Sequence, residues 1–273
     1  MAATLLQEPG LERYRGQFVV LKFGGHATAL DAFARDLARL SAAGALPVVV
    51  HGGGPQIDEM AKRLGLSSRF EGGLRVTDEA MLEVVQMVLA RVGTSIVSAL
   101  ERAGVEALSL SGQDARALTA TRKTQPDLGL VGTDVRVNAV PLALLAENGI
   151  VPVVAPVASD GRGGALNVNA DEAAGAIAGG LSAAALLLLS NVEGVLVDGK
   201  PQASLPPSRA RALLSDGRAT AGMIPKIESA LAAAEQGVEL VRIGSLAEPG
   251  APGATLEALL SPASQAGTRV GGA

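Results

Sequence analysis

FVVLKFGG, residues 18–25, reads as a short β-branched strand, Phe18 to Lys22, that runs straight into two glycines, Gly24 and Gly25. PVVVHGGGP, residues 47–55, repeats the arrangement: a strand from Pro47 to His51, three glycines, then Pro55 opening a helix that Gly65 closes. Between the two lies a helical pattern from Ala29 to Ala43, with Phe33, Leu37 and Leu40 on one face and Gly44 as its stop. Strand, glycine loop, helix, strand is the rhythm of a mainly parallel sheet covered by helices on both faces. Working outward, the rhythm continues. Helices are predicted over Asp78–Leu89 and Thr94–Ala103, with a strand over Ala107–Leu110. Next come a helix over Pro141–Glu147, a strand over Ile150–Ala155, a helix from Asp171 and a strand over Ala185–Leu189. A helix near Ser208–Leu214, a helix over Pro225–Gln236 and a strand over Glu239–Ile243 follow. Thr119 to Arg136, rich in Thr, Asp and Gly, reads as a hairpin excursion or surface loops outside the main sheet, Ser159 to Asn169 as a polar loop, and the last twenty residues have no clear pattern. The expected fold is α/β, a three-layer αβα sandwich around one central, mainly parallel sheet.

Composition narrows what such a fold can do. Of the 273 residues 48% are hydrophobic but only 2% aromatic, so the core is built from Val, Leu, Ile and Ala, and stacking platforms for nucleic acid are disfavoured. The net charge is −4 and the basic residues are scattered, which leaves no footprint for DNA or a membrane surface and points to a small-molecule partner. The chain has no Cys and two His, His26 and His51, so disulfides, thiolate chemistry and multi-imidazole zinc sites are ruled out, and no metal site is expected. No uninterrupted apolar run of about 18 residues is present, the nearest being Ala173–Leu189 with its internal glycines. The expectation is a soluble, cytoplasmic protein.

Neither a Walker A sequence nor G-x-G-x-x-G follows the first strand. Phosphate binding would instead fall to the glycine loops at the strand ends, where open α/β sheets take their ligands and where Gly24, Gly25, Gly53 and Gly54 let backbone N–H groups approach an anion; a plain tight turn is the alternative. Lysine is scarce, five of 23 basic residues. Lys22 ends an apolar strand, a costly place for an ammonium unless an anion meets it. Lys226 follows Gly222-Met223-Ile224-Pro225 in the first turn of a helix, where the dipole is already positive, so it is either a solvated surface lysine or one that holds phosphate. Asn167, Asn169 and Asp171 gather three polar side chains at a helix start, with Asp171 an N-cap candidate and the two asparagines on one side. Arg75, before a helix capped by Thr77 or Asp78, could clamp a carboxylate or form a surface ion pair.

KFGG (22–25), VVVHGGGPQID (48–58), FEGGLRVTD (70–78), LSLSGQD (108–114), DLGLVG (127–132), NVNADEAAGAIA (167–178), SNVEGVL (190–196) and AGMIPK (221–226) together resemble the ordered motif set of the amino-acid kinase superfamily, and within it the N-acetylglutamate kinases. The resemblance spans about residues 12–243. It implies an arm at 1–16, a substrate-binding lobe over about 17–175 and a nucleotide-binding lobe over about 176–273. It implies ATP, with Mg²⁺ carried by the nucleotide, phosphorylating the side-chain carboxylate of N-acetyl-L-glutamate to an acyl phosphate in arginine biosynthesis. By the same resemblance Lys22 and Lys226 would flank the phosphoryl group and Asp171 would fix both. Gly53, Gly54, Arg75, Asn167 and Asn169 would bind substrate. Lys22, Gly24, Gly25, Asn191, Val192, Glu193, Gly194, Leu196, Gly222, Met223 and Lys226 would bind nucleotide. Asn191 replaces the family's usual Asp, Gly93-Thr94 replaces an Asn-Lys pair, and the C-terminal region lacks the His-rich segment, which bears on arginine feedback more than on catalysis. LERYRGQF (11–18) resembles the arm of hexameric, arginine-inhibited members, so a homo-oligomer, dimer or hexamer, is expected. A kinase for carrier-bound or N-acylated α-aminoadipate and a non-catalytic ATP or amino-acid sensor are the alternatives.

Overall fold

The computed structural model of the protein describes residues 10–24, 29–197, 199–219, 222–247 and 253–271. In chain order its elements are β1 (Phe18–Phe23), α1 (Leu30–Ala42), β2 (Leu46–His51), α2 (Gly54–Arg63), the short pair β3 (Phe70–Glu71) and β4 (Leu74–Arg75), α3 (Glu79–Arg102), β5 (Ala107–Ser111), β6 (Leu118–Thr124), β7 (Asp127–Val137), α4 (Ala139–Glu147), β8 (Val151–Ala155), β9 (Val157–Ser159), β10 (Ala165–Asn167) and α5 (Ala170–Gly180). They continue as β11 (Ala185–Leu189), β12 (Leu196–Val197), β13 (Lys200–Pro201), β14 (Ser204–Leu205), α6 (Pro207–Ser215), α7 (Ile224–Glu235), β15 (Leu240–Gly244), α8 (Leu256–Leu260) and β16 (Thr268–Val270).

Eight strands form the central sheet in the order β14-β16-β15-β11-β1-β2-β8-β5, and every neighbour pairing is parallel except β15 with β16. Both faces are covered, as the apolar strands require. On β1, Val20 packs in one core cluster with residues of α5 and α7, while Val19 and Leu21 point to the opposite cluster with Phe33, Leu37, Ile96 and Leu259 of α1, α3 and α8. The predicted three-layer α/β sandwich is what forms. Of the two readings of Thr119–Arg136 the hairpin is the one that forms, as β6 and β7, and with β9 and β10 these strands close a small barrel beside the sheet.

Three sequence readings are corrected. The two helices predicted over Asp78–Leu89 and Thr94–Ala103 are one 24-residue helix, α3. Gly93 does not break it; a Cβ there would lie 2.2 Å from Ser109 Oγ and 3.1 Å from His51 Nε2, so glycine lets the helix lie against β5 and β2. α3 is long and apolar enough to cross a bilayer, and Val85, Leu89, Ile96 and Leu100 bury one side of it. The polar loop over Ser159–Asn169 contains β10, which pairs antiparallel with β9. The unpatterned C-terminal stretch supplies α8 and β16, the latter slotted between β14 and β15.

Candidate active site

Lys22 and Phe23 end β1, and Leu189 ends the neighbouring β11 in direct register with Phe23. The Gly24 N–H donates to the Leu189 carbonyl at 3.2 Å, turning the chain off the sheet. A Cβ on Gly24 would lie 2.7 Å from Lys22 Nζ and 3.2 Å from the Leu189 carbonyl, so a side chain there would displace the ammonium from its present position. Gly25 lies outside the described residues.

Asp171 sits in the first turn of α5, but it is not the cap. Asn169 takes that role, its Oδ1 accepting from the N–H groups of Asp171 at 2.8 Å and Glu172 at 3.2 Å. The Asp171 carboxylate is thereby left for other partners, at a helix end that favours an anion. One oxygen accepts from Lys226 Nζ at 2.8 Å, and the other pairs with Lys22 Nζ at 3.0 Å. The three side chains are 8%, 7% and 14% exposed for Lys22, Asp171 and Lys226. The cluster therefore holds two cations and one anion largely away from water, a net single positive charge. Burial pulls the Lys22 ammonium below its ordinary 10.5, with Asp171 opposing and Lys226 reinforcing the shift. Burial raises the Asp171 carboxyl, and the two ammonium groups outweigh it to hold it below the usual carboxylate range.

Helix spacing fixes this geometry. A Cβ at Gly175 would lie 3.0 Å from the Ser229 carbonyl, and one at Gly179 would lie 1.7 Å from Gln236 Oε1, so α5 and α7 approach closely along a glycine seam. That approach brings Lys226, in the first turn of α7, within reach of Asp171 in the first turn of α5.

Facing β1 from the other side, Gly53 caps α2, and a Cβ there would meet Leu89 Cδ2 at 2.8 Å. Gly54 begins α2, and its carbonyl accepts from Arg75 Nη2 at 3.3 Å. Arg75 is buried and fully engaged by its own chain: Nη1 donates to Asp58 at 2.7 Å and Ser68 at 2.6 Å, and the guanidinium lies over the Phe70 ring, 4.6 Å from its centroid. Partial burial pushes the Asp58 carboxyl up, but these bonds outweigh it and keep it low. Asn167 Nδ2 donates to Thr77 Oγ1 at 3.1 Å, and Thr77 in turn donates to the Arg75 carbonyl. Gly54, Arg75 and Asn167 thus belong to one network joined through Thr77, which the sequence reading treated only as a helix-cap candidate; Asp78 is the cap.

Asn191, Val192, Glu193 and Gly194 follow β11 directly, and Leu196 on β12 is half exposed. Glu193 and Gly194 line a cavity of about 460 Å³ with Gln202, Ser245 and Gly267. Gly194 is required by Thr268, whose Oγ1 would be 2.6 Å from a Cβ there and accepts from the Val195 N–H at 2.8 Å. Met223 precedes α7 as its cap residue, with Gly222 before it; Ala221 is outside the described residues.

His51, at the end of β2, is fully buried, and burial draws its imidazole to a pKa of about 4, so it is neutral near pH 7. Among the described residues no group of three or more His, Asp or Glu is placed to hold a metal ion.

The arrangement suits binding and neutralising a phosphoryl group at the convergent ends of β1 and β11. Similar proteins point the same way. An acetylglutamate kinase of Chelativorans sp. (strain BNC1) is 47% identical over 253 residues, covering 86% of this chain and 85% of that protein. Among solved structures, smu.665 from Streptococcus mutans UA159 superposes with a TM-score of 0.79 at 30% identity, covering 93% of this chain and 98% of that one. The N-acetylglutamate synthase of Neisseria gonorrhoeae, solved with coenzyme A and N-acetyl-glutamate, gives 0.82 at 26% identity over 96% of this chain, which spans 61% of that longer protein. The sequence profile of the amino acid kinase family matches residues 17–245, and this chain belongs to that family.

Proposed function

We infer that the chain is an acetylglutamate kinase, transferring the γ-phosphoryl group of ATP to the side-chain carboxylate of N-acetyl-L-glutamate in arginine biosynthesis. The observation that carries the chemistry is the pair of ammonium groups sharing one buried carboxylate. A carboxylate nucleophile is ionised at neutral pH and needs no general base, in keeping with a site whose histidine is buried and neutral. The remaining requirement is to hold the reactants in line and to stabilise charge on the equatorial phosphoryl oxygens. In this reading Lys22 and Lys226 flank the phosphoryl group, and Asp171 holds both ammonium groups in place. Mg²⁺ enters with the nucleotide. Amides of Gly53 and Gly54 serve the phosphoryl group and the acceptor carboxylate, while Gly24, its N–H held by the Leu189 carbonyl, acts by letting the chain pass Lys22; Gly25 lies outside the described residues. Arg75 and Asn167 form the substrate wall, whereas Asn169 acts through its cap on α5. Asn191–Leu196, Gly222 and Met223 border the nucleotide, so the lobe up to about residue 175 holds the acyl amino acid and the rest holds ATP. The enzyme works in the cytoplasm as a homo-oligomer, a reading supported by the open edge strand β5 with exposed Leu108 and by exposed Val140 and Leu144.

A coupled ADP-release assay comparing N-acetylglutamate, N-acetyl-aminoadipate, glutamate and aspartate tests this. N-acetylglutamate is expected to give the highest kcat/KM, and Lys22→Ala and Lys226→Ala to lower kcat by about 10²–10³. Preference for the aminoadipate substrate would move the chain to the lysine-type branch, and no turnover with any acceptor would make it a sensor.

A further inference from the structure

His51 is fully buried, yet among the described residues its ring makes a single hydrogen bond. On β2, Val48 and Val50 face the core cluster of α5 and α7, whereas Val49 faces that of α1 and α3. Strand alternation puts His51 with Val49 on the α3 side, and a Cβ on Gly93 of α3 would lie 3.1 Å from its Nε2. Lys22, two residues after Val20 on β1, stands on the other face, where it meets Asp171. Seen from the lysine cluster, His51 therefore lies behind the sheet. Its Nε2 has no partner, and its Nδ1 lies 3.1 Å from the carbonyl oxygen of Gly52. A carbonyl can only accept, so the proton of the neutral ring sits on Nδ1.

An apolar side chain of similar bulk would fill the same space without an orphaned nitrogen, so the core gains nothing from the imidazole. What the ring does is fix one peptide. The Gly52 N–H donates to the Phe23 carbonyl at 3.1 Å, and the Gly53 carbonyl accepts from the Ile57 N–H at 2.8 Å. These bonds pin the two ends of the glycine loop and leave the Gly52–Gly53 peptide between them, with no side chain on either residue to restrict it. The C=O and N–H of a trans peptide point in opposite directions. With the Gly52 carbonyl drawn to His51 on the α3 side, the Gly53 N–H is turned to the lysine side. Among the described residues that N–H has no acceptor, and it stands at the positive end of α2.

We propose that His51 is a positioning residue for phosphoryl transfer: by holding the Gly52 carbonyl from behind the sheet, it aims the Gly53 N–H at the acceptor carboxylate and the transferring phosphoryl group. This role rests on the kinase reading above and adds to it a side chain that touches neither reactant.

ADP release by the full chain with ATP and N-acetylglutamate tests the role. His51→Leu keeps the bulk and loses the donor, so kcat should fall by about 10–10²-fold while KM for ATP stays within about threefold and Tm is not lowered. His51→Asn places an amide N–H near the Nδ1 position and should bring kcat back to within about fivefold of the unsubstituted chain. His51→Gln, whose amide reaches the Nε2 position instead, should stay as slow as His51→Leu. Recovery by Asn and not by Gln is a pattern that a mere filler of core space would not give. Imidazole ¹⁵N shifts of the unsubstituted chain supply a check that needs no variant: Nδ1 should be protonated and Nε2 bare at neutral pH. Near-normal kcat in His51→Leu, a loss accounted for by a lowered Tm, a folded His51→Asn no faster than His51→Leu, or a bare Nδ1 would each overturn the role alone. An unsubstituted chain that phosphorylates no acceptor would overturn the kinase reading, and this role with it.

Discussion

At the ends of β1 and β11, two lysines share Asp171; in the middle of β15, on the opposite face of the sheet, Arg242 lies buried across from Arg269, and among the described residues neither is paired with a carboxylate. Both clusters take cations out of water, yet only the first supplies its own counter-ion. With Asp171 between them the two ammonium groups still present one surplus positive charge, enough to attract a phosphoryl group without trapping it. The arginine cluster has no such internal counter-ion, so its buried charge is a cost to the fold. Buried cations can therefore serve catalysis or burden the fold, and the position of the nearest carboxylate decides which.

The largest effect comes from making the first cluster resemble the second. Asp171→Asn leaves two ammonium groups without their anion, and kcat for ADP release should fall by about 10²–10³. Urea unfolding should show a loss of about 3–5 kcal/mol, the typical penalty for breaking a buried pair. The pH dependence has a definite sign. The folded carboxyl titrates below its ordinary 3.8, so its contribution is in place above that pH and is lost as pH falls through the folded value; the Asn variant should lack this segment of the profile.

A smaller effect should follow from disturbing the first cluster without touching its charges. Gly175→Leu forces α7 away from α5 at Ser229 and lengthens the Asp171–Lys226 contact. A kcat loss of about tenfold is expected, since displacements on the order of 1 Å cost up to about a hundredfold. The smallest effect, and one of opposite sign, should come from Arg242→Met. Removing an uncompensated buried cation in favour of an apolar side chain should stabilise the chain by about 1 kcal/mol in urea unfolding. A loss would mean that Arg242 is already balanced.

Much of the first cluster was readable in the sequence because its parts are local. A lysine at the end of an apolar strand, glycines after it, and a lysine in the wrong turn of a helix each conflict with a simple rule. What was not readable depended on close approach. Gly93 signals a break in a lone helix but is a packing contact once Ser109 and His51 are set against it. Asn169 and Asp171 are equally good caps on paper, and only the Lys22 and Lys226 contacts show why Asn169 takes the role. Arg242 was missed although the signal was present: alternation along Leu240, Val241 and Arg242 puts it on the face of Leu240, which a strand covered on both sides must bury. Its partner strand β16 had no pattern of its own, because three residues are too few to show one.

The shared carboxylate of Asp171 also governs what a titration of this enzyme can report. Lys22 and the anion it meets shift one another, so an apparent constant from a pH–rate curve belongs to that pair rather than to either group alone. For the same reason, losses from single substitutions cannot be summed into shares of catalysis: whichever member is removed first takes most of the function of the other two with it.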